Sequence, residues 1–292
     1  MQPLEIAQLS RAIVPGAGDV DIEPLGAGLL SETYRVARDG IAYILKVATE
    51  DHLEAGLDPA WQVRLLERAG NVRVAPRLVY ADRAGAVRVA RWVAGRSWQA
   101  DEVKAAASLE KMAELLRRVH ALSVPAPPAG VAPLQWIEIY LRALSRRALN
   151  SDPALRTAAL SRAQEWITLP FPKGVVCHSD LHRMNVLQSH DSLLLLDWEY
   201  AHVGDCFWDL AGWSANNDLE AQVQWSLLTH YLESAPSLSQ WQRFRSLLWL
   251  YDYVCLLWSQ LYVSLRRAAA DVIAERARLL DARLRLPAHY AA

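Results

Sequence analysis

The sequence predicts an α+β protein in which a strand-rich first third precedes a larger, mainly helical remainder. Before residue 95, β-branched and aromatic runs alternate with turn signals, which is typical of strands. From residue 101 onward, apolar residues recur at helical spacing over long stretches. The chain has 292 residues, of which 52% are hydrophobic, enough for one large domain or two lobes. We therefore expect two domains, at residues 1–95 and 96–292.

The first region contains the elements of a small sheet. Two runs, SETYRVA and IAYILKVA, flank the turn signal RDG and predict a β-hairpin. A helix is predicted over DPAWQVRLLERAG, where Gly70 can end it. Two more strands are predicted in RLVYAD and AVRVARWVAG. A connector near Arg91 to Gly95 then leads into the helical region.

The second region is dominated by helical patterns. Successive helices are predicted over ASLEKMAELLRRVHAL, LQWIEIYLRALSRRAL and PALRTAALSRAQEWITL, and long helices follow Asn217. The stretch LLWLYDYVCLLWSQLYVSL is mostly apolar and 19 residues long. Because Asp252, Ser259 and Gln260 interrupt it, we expect a buried helix rather than a membrane span.

Composition narrows the classes of partner and compartment. The formal net charge of -1 gives no basic excess for nucleic acid. The three cysteines, Cys177, Cys206 and Cys255, form no CxxC pair, which disfavours structural zinc and disulfides. The start MQPLEIAQLS lacks the long apolar block of a signal peptide. We expect a cytoplasmic protein that needs neither nucleic acid nor a membrane.

A polar cluster, HSDLHRMN, interrupts the helices between two apolar runs. Asp180 and Asn185 lie five positions apart, and Asp197 directly follows an apolar run typical of a buried strand. Pairing of Val186–Leu187 with Leu193–Leu196 would bring Asn185 and Asp197 together at one end of a hairpin. Oxygen-bearing side chains there suit Mg²⁺. Asp180 beside them could orient or deprotonate an attacking hydroxyl.

Two other interpretations of this cluster stay open. Polar residues between apolar runs often form a plain surface turn, in which the histidines only make hydrogen bonds. A different metal site could use His178, Asp180 and His182, although no HExxH pattern accompanies them.

HSDLHRMN followed by LDWE resembles the catalytic loop and metal-binding aspartate of the aminoglycoside phosphotransferase and choline kinase family, small-molecule relatives of protein kinases. The resemblance implies a bilobal protein-kinase-like fold, with a small β-rich N-terminal lobe and a larger mainly helical C-terminal lobe. It also implies ATP and Mg²⁺ as cofactors, Asp180 as catalytic base, and Asn185 and Asp197 as metal ligands. His178 and Asp209 would support the loop.

The first region contains residues that fit a nucleotide site. In LGAGLLSETYRV, Gly28, Ser31 and Thr33 could approach phosphates, because glycines expose backbone N–H groups. Lys46 lies inside an apolar strand, where a lysine either snorkels to solvent or is paired. The family keeps its phosphate-binding lysine at this place, one hairpin after the glycines.

The partner of Lys46 and the adenine site are less defined. Kinases usually pair the lysine with a helix glutamate, but the helix here offers Gln62, with Glu54 and Glu67 nearby. The sequence leaves this choice open. VARWVAGRSW resembles the connector between lobes, so backbone groups at Trp92, Val93 and Ala94 are expected to bind adenine.

The acceptor is expected to be a small molecule with a hydroxyl group. Seven of the twelve tryptophans lie at or after Trp198, and aromatic faces attract cations. We therefore favour a cationic amino alcohol such as choline or thiamine. An aminoglycoside or sugar phosphotransferase is the alternative, and a non-catalytic nucleotide-binding regulator is the alternative of another class. Candidate acceptor residues are Glu199, Trp213, Asn216, Trp249 and Asp252.

Overall fold

The computed structural model describes residues 3–27, 31–49, 59–125, 133–168, 174–190, 192–265 and 269–290. The chain divides into two compact units. The first comprises Met1–Ser97, Ser123–Ala126 and Leu187–Glu199, and the second comprises Trp98–Leu122, Pro127–Val186 and Tyr200–Ala292. The predicted α+β class is confirmed, and the domain boundary near residue 95 remains a prediction.

Most strands and helices occur where the sequence predicts them. The strands are β1 (Val20–Ala27), β2 (Ser31–Arg38), β3 (Ile41–Ala48), β4 (Leu78–Ala81), β5 (Val87–Arg91), β6 (Arg96–Ser97), β7 (Val175–Cys177), β8 (Val186–Ser189), β9 (Ser192–Leu195) and β10 (His202–Gly204). The helices are α1 (Pro3–Ile13), α2 (Pro59–Asn71), α3 (Ala106–His120), α4 (Pro133–Ser145), α5 (Pro153–Thr168), α6 (Cys206–Asn216), α7 (Ala221–Leu232), α8 (Leu238–Ser264), α9 (Ala270–Leu284) and α10 (Pro287–Tyr290).

An antiparallel five-stranded sheet, in the order β1-β2-β3-β5-β4, builds the first unit. The predicted hairpin is confirmed as β2 and β3. Asp39 and Gly40 connect them with φ angles of 51° and 74°. Both angles are positive, as a two-residue hairpin turn requires, and Asp-Gly accommodates them readily.

One face of this sheet is apolar and covered. Tyr43 and Leu45 of β3 are buried, and Ile6 from α1 belongs to the same apolar cluster. The sequence analysis did not predict α1. Because strand side chains alternate between faces, Lys46 lies on the face opposite Leu45. The charged group of Lys46 therefore lies away from the apolar core that covers the other face of β3.

A second, three-stranded sheet has the order β6-β8-β9. The pairing of β8 with β9 confirms the hairpin predicted before Asp197. Leu195 of β9 donates its amide to the carbonyl of Val74, at 2.8 Å. That bond attaches the strand preceding Asp197 to the chain that follows α2.

Helices form most of the second unit. The longest, α8, begins with a capping box in which the Ser237 side chain accepts from the Gln240 amide and Gln240 reaches back to the Ser237 amide. Its apolar residues are largely buried within the unit, as the sequence analysis expected. Among the described residues, no helix has the length and apolarity needed to cross a membrane.

The polar loop follows β7, which pairs with β10 in a two-stranded antiparallel sheet. The chain leaves β7, passes through residues 178–182, forms a 3₁₀ turn at Arg183–Asn185 and enters β8. The loop is therefore fixed by regular structure at both ends.

Candidate active site

Lys46 of the first unit lies between two carboxylates. Its Nζ is 2.6 Å from Asp197 Oδ1 and 3.3 Å from Glu199 Oε1. Burial by itself lowers the pKa of the Lys46 ammonium, but attraction from Asp197 and Glu199 outweighs it and the pKa is raised. Lys46 therefore remains charged at neutral pH and can bind an anion.

The helix α2 contributes an uncharged bridge to this group. Gln62 is 3% exposed, and its amide nitrogen donates to the Glu199 backbone carbonyl at 2.6 Å. Its amide oxygen accepts from Arg88 at 3.0 Å, and Arg88 lies 3.4 Å from the Glu199 carboxylate. The bridge joins α2, β5 and the chain after β9.

The structure identifies the carboxylates that contact Lys46, which the sequence left open. The carboxylates on Lys46 come from Asp197 and Glu199, which follow β9, and not from α2. Gln62 lies beside them, Glu67 is exposed, and Glu54 lies outside the described residues. Glu199 could not be identified from sequence as this partner because it is 153 residues from Lys46 and no local pattern links them.

The predicted phosphate-binding segment is described in part. Gly28 lies outside the described residues, whereas Ser31 is buried and Thr33 lies directly opposite Lys46 in the β2–β3 register. Cross-strand partners share one face of a sheet. The Thr33 side chain and the Lys46 amine therefore lie on the same face.

The predicted adenine segment follows β5. The Trp92 amide already donates to the Ala42 carbonyl at 3.1 Å, and the Trp92 ring lies beneath the Arg35 guanidinium at 5.5 Å. A nucleobase would therefore have to use the other backbone groups of Trp92, Val93 and Ala94. The role of all three residues remains a prediction.

In the second unit, the loop after β7 brings Asp180 and Asn185 together. The Asn185 amide nitrogen donates to the Asp180 carbonyl at 2.9 Å and to its carboxylate at 3.1 Å. Both bonds use the nitrogen, so the amide oxygen is the group left to face a cation. An amide oxygen beside a carboxylate fits the oxygen ligands that Mg²⁺ prefers. His182 Nε2 lies 3.7 Å from the Asp180 carboxylate.

A buried carboxylate on α6 holds the loop in place. Asp209 accepts the backbone amides of His178 and Ser179, each at 2.7 Å, and contacts His120 Nε2 at 3.1 Å. Burial alone would raise the pKa of Asp209, but the His120 hydrogen bond and the neighbouring imidazoles and amide lower it below its usual value. The supporting position of Asp209 agrees with its expected role.

Ser179 adopts a backbone conformation that is costly for a residue with a side chain. Its φ is 70°, in the left-handed region. The Ser179 hydroxyl lies 2.8 Å from His202 Nδ1, and its carbonyl accepts from the Tyr251 hydroxyl at 3.3 Å. These contacts, with the bond to Asp209, hold the bend immediately before Asp180.

Two buried tyrosines of the second unit, Tyr140 and Tyr251, are close enough to Asp180 for its charge to affect their ionisation. Burial raises the pKa of Tyr140 and of Tyr251, and the negative charge of Asp180 raises both further. Trp136 stacks on Tyr140 at 5.8 Å and lies 5.9 Å from Tyr200, measured between ring centroids. The sequence analysis did not single out Tyr140 or Trp136, because aromatic residues at helical spacing usually indicate only a core.

The candidate acceptor residues of the second unit occupy different environments. Trp213 is fully buried and packs edge-on against Trp98, and Trp249 is 3% exposed and donates to the Leu284 carbonyl. Asn216 donates to the Leu181 carbonyl and to the Tyr251 hydroxyl, at 3.0 and 2.9 Å. Of these three, Asn216 lies next to the loop of Asp180.

Asp252 has protein partners of its own. It is 1% exposed, forms an ion pair with Arg283 and accepts from the Tyr290 hydroxyl at 2.5 Å. The sequence analysis expected either an arginine or a cationic ligand here, and the structure provides the arginine.

Comparison with known proteins agrees with this fold. The chain matches the phosphotransferase enzyme family over residues 21–247. A choline/ethanolamine kinase family protein from Mesorhizobium loti superposes with a TM-score of 0.77 at 21% identity, over 98% of this chain and 96% of the other. The choline kinase LicA from Streptococcus pneumoniae gives 0.77 at 19%, over 96% and 98%. A macrolide 2'-phosphotransferase from Brachybacterium faecium gives 0.64 at 18%, over 95% and 98%. The predicted protein-kinase-like fold is confirmed.

Proposed function

Because the chain belongs to the phosphotransferase enzyme family, we propose that this small-molecule kinase transfers the γ-phosphate of ATP to the hydroxyl of a cationic amino alcohol such as choline or thiamine. The observation that carries the proposal is the pair of tyrosines near Asp180: Tyr251, which donates to the neighbouring Ser179 carbonyl, and Tyr140, whose pKa the charge of Asp180 raises. A base for the hydroxyl and ring faces for a cation occur there together.

Each polar residue has a distinct role in the proposed transfer. Lys46 would bind the α- and β-phosphates, and backbone groups at Trp92, Val93 and Ala94 would bind the base. Asn185 and Asp197 would hold Mg²⁺, which would neutralise charge on the phosphates. Asp180 accepts a hydrogen bond from the acceptor hydroxyl and fixes its direction. Catalysis is then mainly positioning and charge neutralisation.

The acceptor preference follows from charge and from ring faces. Asp180 supplies one negative charge, and Tyr140, Tyr200 and Tyr251 supply rings near it or near one another. A cation over such a ring gains about 0.5–2 kcal/mol, depending on desolvation. Arg276, which donates to Asn216 at 2.7 Å, adds a positive charge on the Asn216 side. The acceptor's ammonium is therefore proposed to lie on the side of Tyr140 and Tyr200.

Labelled ATP with a panel of hydroxyl acceptors tests the proposal. We expect Mg²⁺-dependent transfer to choline or thiamine, and a rise in Tm with either ligand. Transfer to an aminoglycoside or a sugar instead would refute the acceptor class and establish the alternative activity. Nucleotide binding without transfer to any acceptor would favour a regulator.

A matched pair of variants tests the ring contact itself. Tyr200→Leu removes the aromatic face and is expected to raise the acceptor KM by roughly 2- to 30-fold, which corresponds to about 0.5–2 kcal/mol. Tyr200→Phe retains the face and is the control. An equal KM for the two variants would contradict a cation–aromatic contact at this residue.

All three cysteines are free. Together with the absence of any paired-cysteine pattern, this supports the proposal that the protein works in the reducing cytoplasm.

A further inference from the structure

Lys46 contacts two carboxylates that differ in what else they are proposed to bind. Asp197 is the proposed magnesium ligand, so its oxygens are shared in the loaded enzyme. Glu199 contacts Lys46 at 3.3 Å and Arg88 at 3.4 Å through the same oxygen. Glu199 is therefore the carboxylate that can stay with Lys46 when Asp197 binds the metal.

We propose that Glu199 is the positioning residue for Lys46, and that Gln62 and Arg88 hold its carboxylate in place. In protein kinases a glutamate on the corresponding helix pairs with the lysine. Here the charge comes from the chain after β9, and the helix α2 supplies an amide. The inference rests on the proposed function, because Lys46 is assigned to the phosphates there.

The chemistry of Gln62 explains why its position carries no charge. Its nitrogen donates to the Glu199 carbonyl at 2.6 Å, while its oxygen accepts from Arg88 at 3.0 Å. An amide has both a donor and an acceptor, whereas an ionised carboxylate only accepts. A glutamate in this conformation would place an unprotonated oxygen against the Glu199 carbonyl. The bridge therefore requires an amide.

Charge balance in the first unit supports the same assignment. Lys46 and Arg88 are positive, Asp197 and Glu199 are negative, and the four form one connected group. Arg88 is 7% exposed, and a buried cation is costly without a partner. Glu199 neutralises Arg88 and orients Lys46 at the same time, so both partners of its carboxylate lie within the first unit.

The test is a double-variant cycle with Lys46→Met, Glu199→Gln and the two combined. We expect Glu199→Gln to lower kcat at least tenfold and to change the acceptor KM less than twofold. In the Lys46→Met background it should lower kcat no further, because Glu199 acts through the lysine. Glu67→Gln, an exposed carboxylate on α2, is the matched control and should retain wild-type kcat.

A second readout needs neither nucleotide nor turnover. The Tm of the same variants, measured without ligand, should be non-additive, because each single change removes the same ion pair. If Glu199→Gln folds poorly because Arg88 is left without a carboxylate, Arg88→Met/Glu199→Gln is compared with Arg88→Met. The kcat loss should persist in that pair.

Specific outcomes would overturn the proposal. Additive losses of kcat and of Tm would mean that Glu199 does not act through Lys46. A rise in the acceptor KM alone would make Glu199 a counter-charge for the substrate. Absence of transfer in the wild type would refute the proposed function instead, and the ligand-free Tm cycle would still report on the pairing.

Discussion

Arg283→Met is expected to destabilise the second unit by about 3–5 kcal/mol, because it leaves a buried carboxylate without its cation. Asp252 is 1% exposed on α8, and its remaining partner would be the Tyr290 hydroxyl at 2.5 Å. For a chain of this size, 1 kcal/mol shifts the Tm by roughly 2–4 °C, so we expect a loss on the order of 10 °C.

A second substitution should restore much of that loss. Asp252→Asn/Arg283→Met removes the charge but keeps an amide that can bond Tyr290, so the double variant should melt above Arg283→Met alone. Arg285→Met is the control, since Arg285 lies on the exposed side of the same chain end and pairs with Asp152 and Asp281. Its Tm should change little, as for most surface ion pairs.

The pH dependence of the single variant gives a further check. Burial raises the pKa of Asp252 even beside Arg283, and without the arginine it should rise further. Between the pKa of Asp252 in the unfolded chain and its higher pKa in the folded variant, the folded variant binds a proton that the unfolded chain has released. The free energy of unfolding of the variant therefore increases as the pH falls through this range. The deficit in Tm relative to wild type should be smaller near pH 5 than near pH 8. A double variant that melts below Arg283→Met, or a deficit independent of pH, would refute the reasoning.

Three further predictions concern the loop and its surroundings. Asp180→Ala should lower transfer by about 10²- to 10⁴-fold with an unchanged Tm, and normal turnover in labelled-ATP assays would contradict the assigned base. Burial lowers the pKa of His202 from 6.5, so its contribution to stability is complete above that pH and is lost as the pH falls below it. The change of Tm between about pH 7 and pH 5 should therefore be smaller in His202→Gln than in the wild type. An unchanged slope would exclude His202 as the cause of the pH dependence. Gly212→Ala would place a methyl 2.8 Å from the Tyr251 ring, which should cost about 1–3 kcal/mol in urea unfolding; an unaltered midpoint would show that the ring moves freely.

Local signals in the sequence were sufficient for most of the elements. The β2–β3 hairpin follows from alternation and from the Asp39-Gly40 turn, and α3 follows from its apolar spacing, since both depend on residues a few positions apart. The helix α1 was missed, although Ile6 packs in the core of the first unit. The sequence PLEIAQLSRAI is amphipathic, so the apolar spacing that identifies α3 could also have identified α1.

Partners distant in the chain could not be predicted in the same way. The contact of Gln62 with Glu199 spans 137 residues, and that of Arg283 with Asp252 spans 31 residues and two helices. Such pairs depend on how the elements pack, which no single stretch encodes. The residues of the polar loop could be predicted because their spacing along the sequence is itself the pattern that identifies them.

The support of the loop by Asp209 has a consequence for protein engineering. The backbone amides of His178 and Ser179 are held by Asp209 of α6, and the Asp180 carbonyl is held by Asn185, so none of these loop contacts uses the side chains of Arg183 or Met184. A randomised library at Arg183 and Met184, the latter 55% exposed, should therefore yield many folded members. Such a library would vary the part of the loop that follows Asp180 while the anchor of the loop on Asp209 stays fixed.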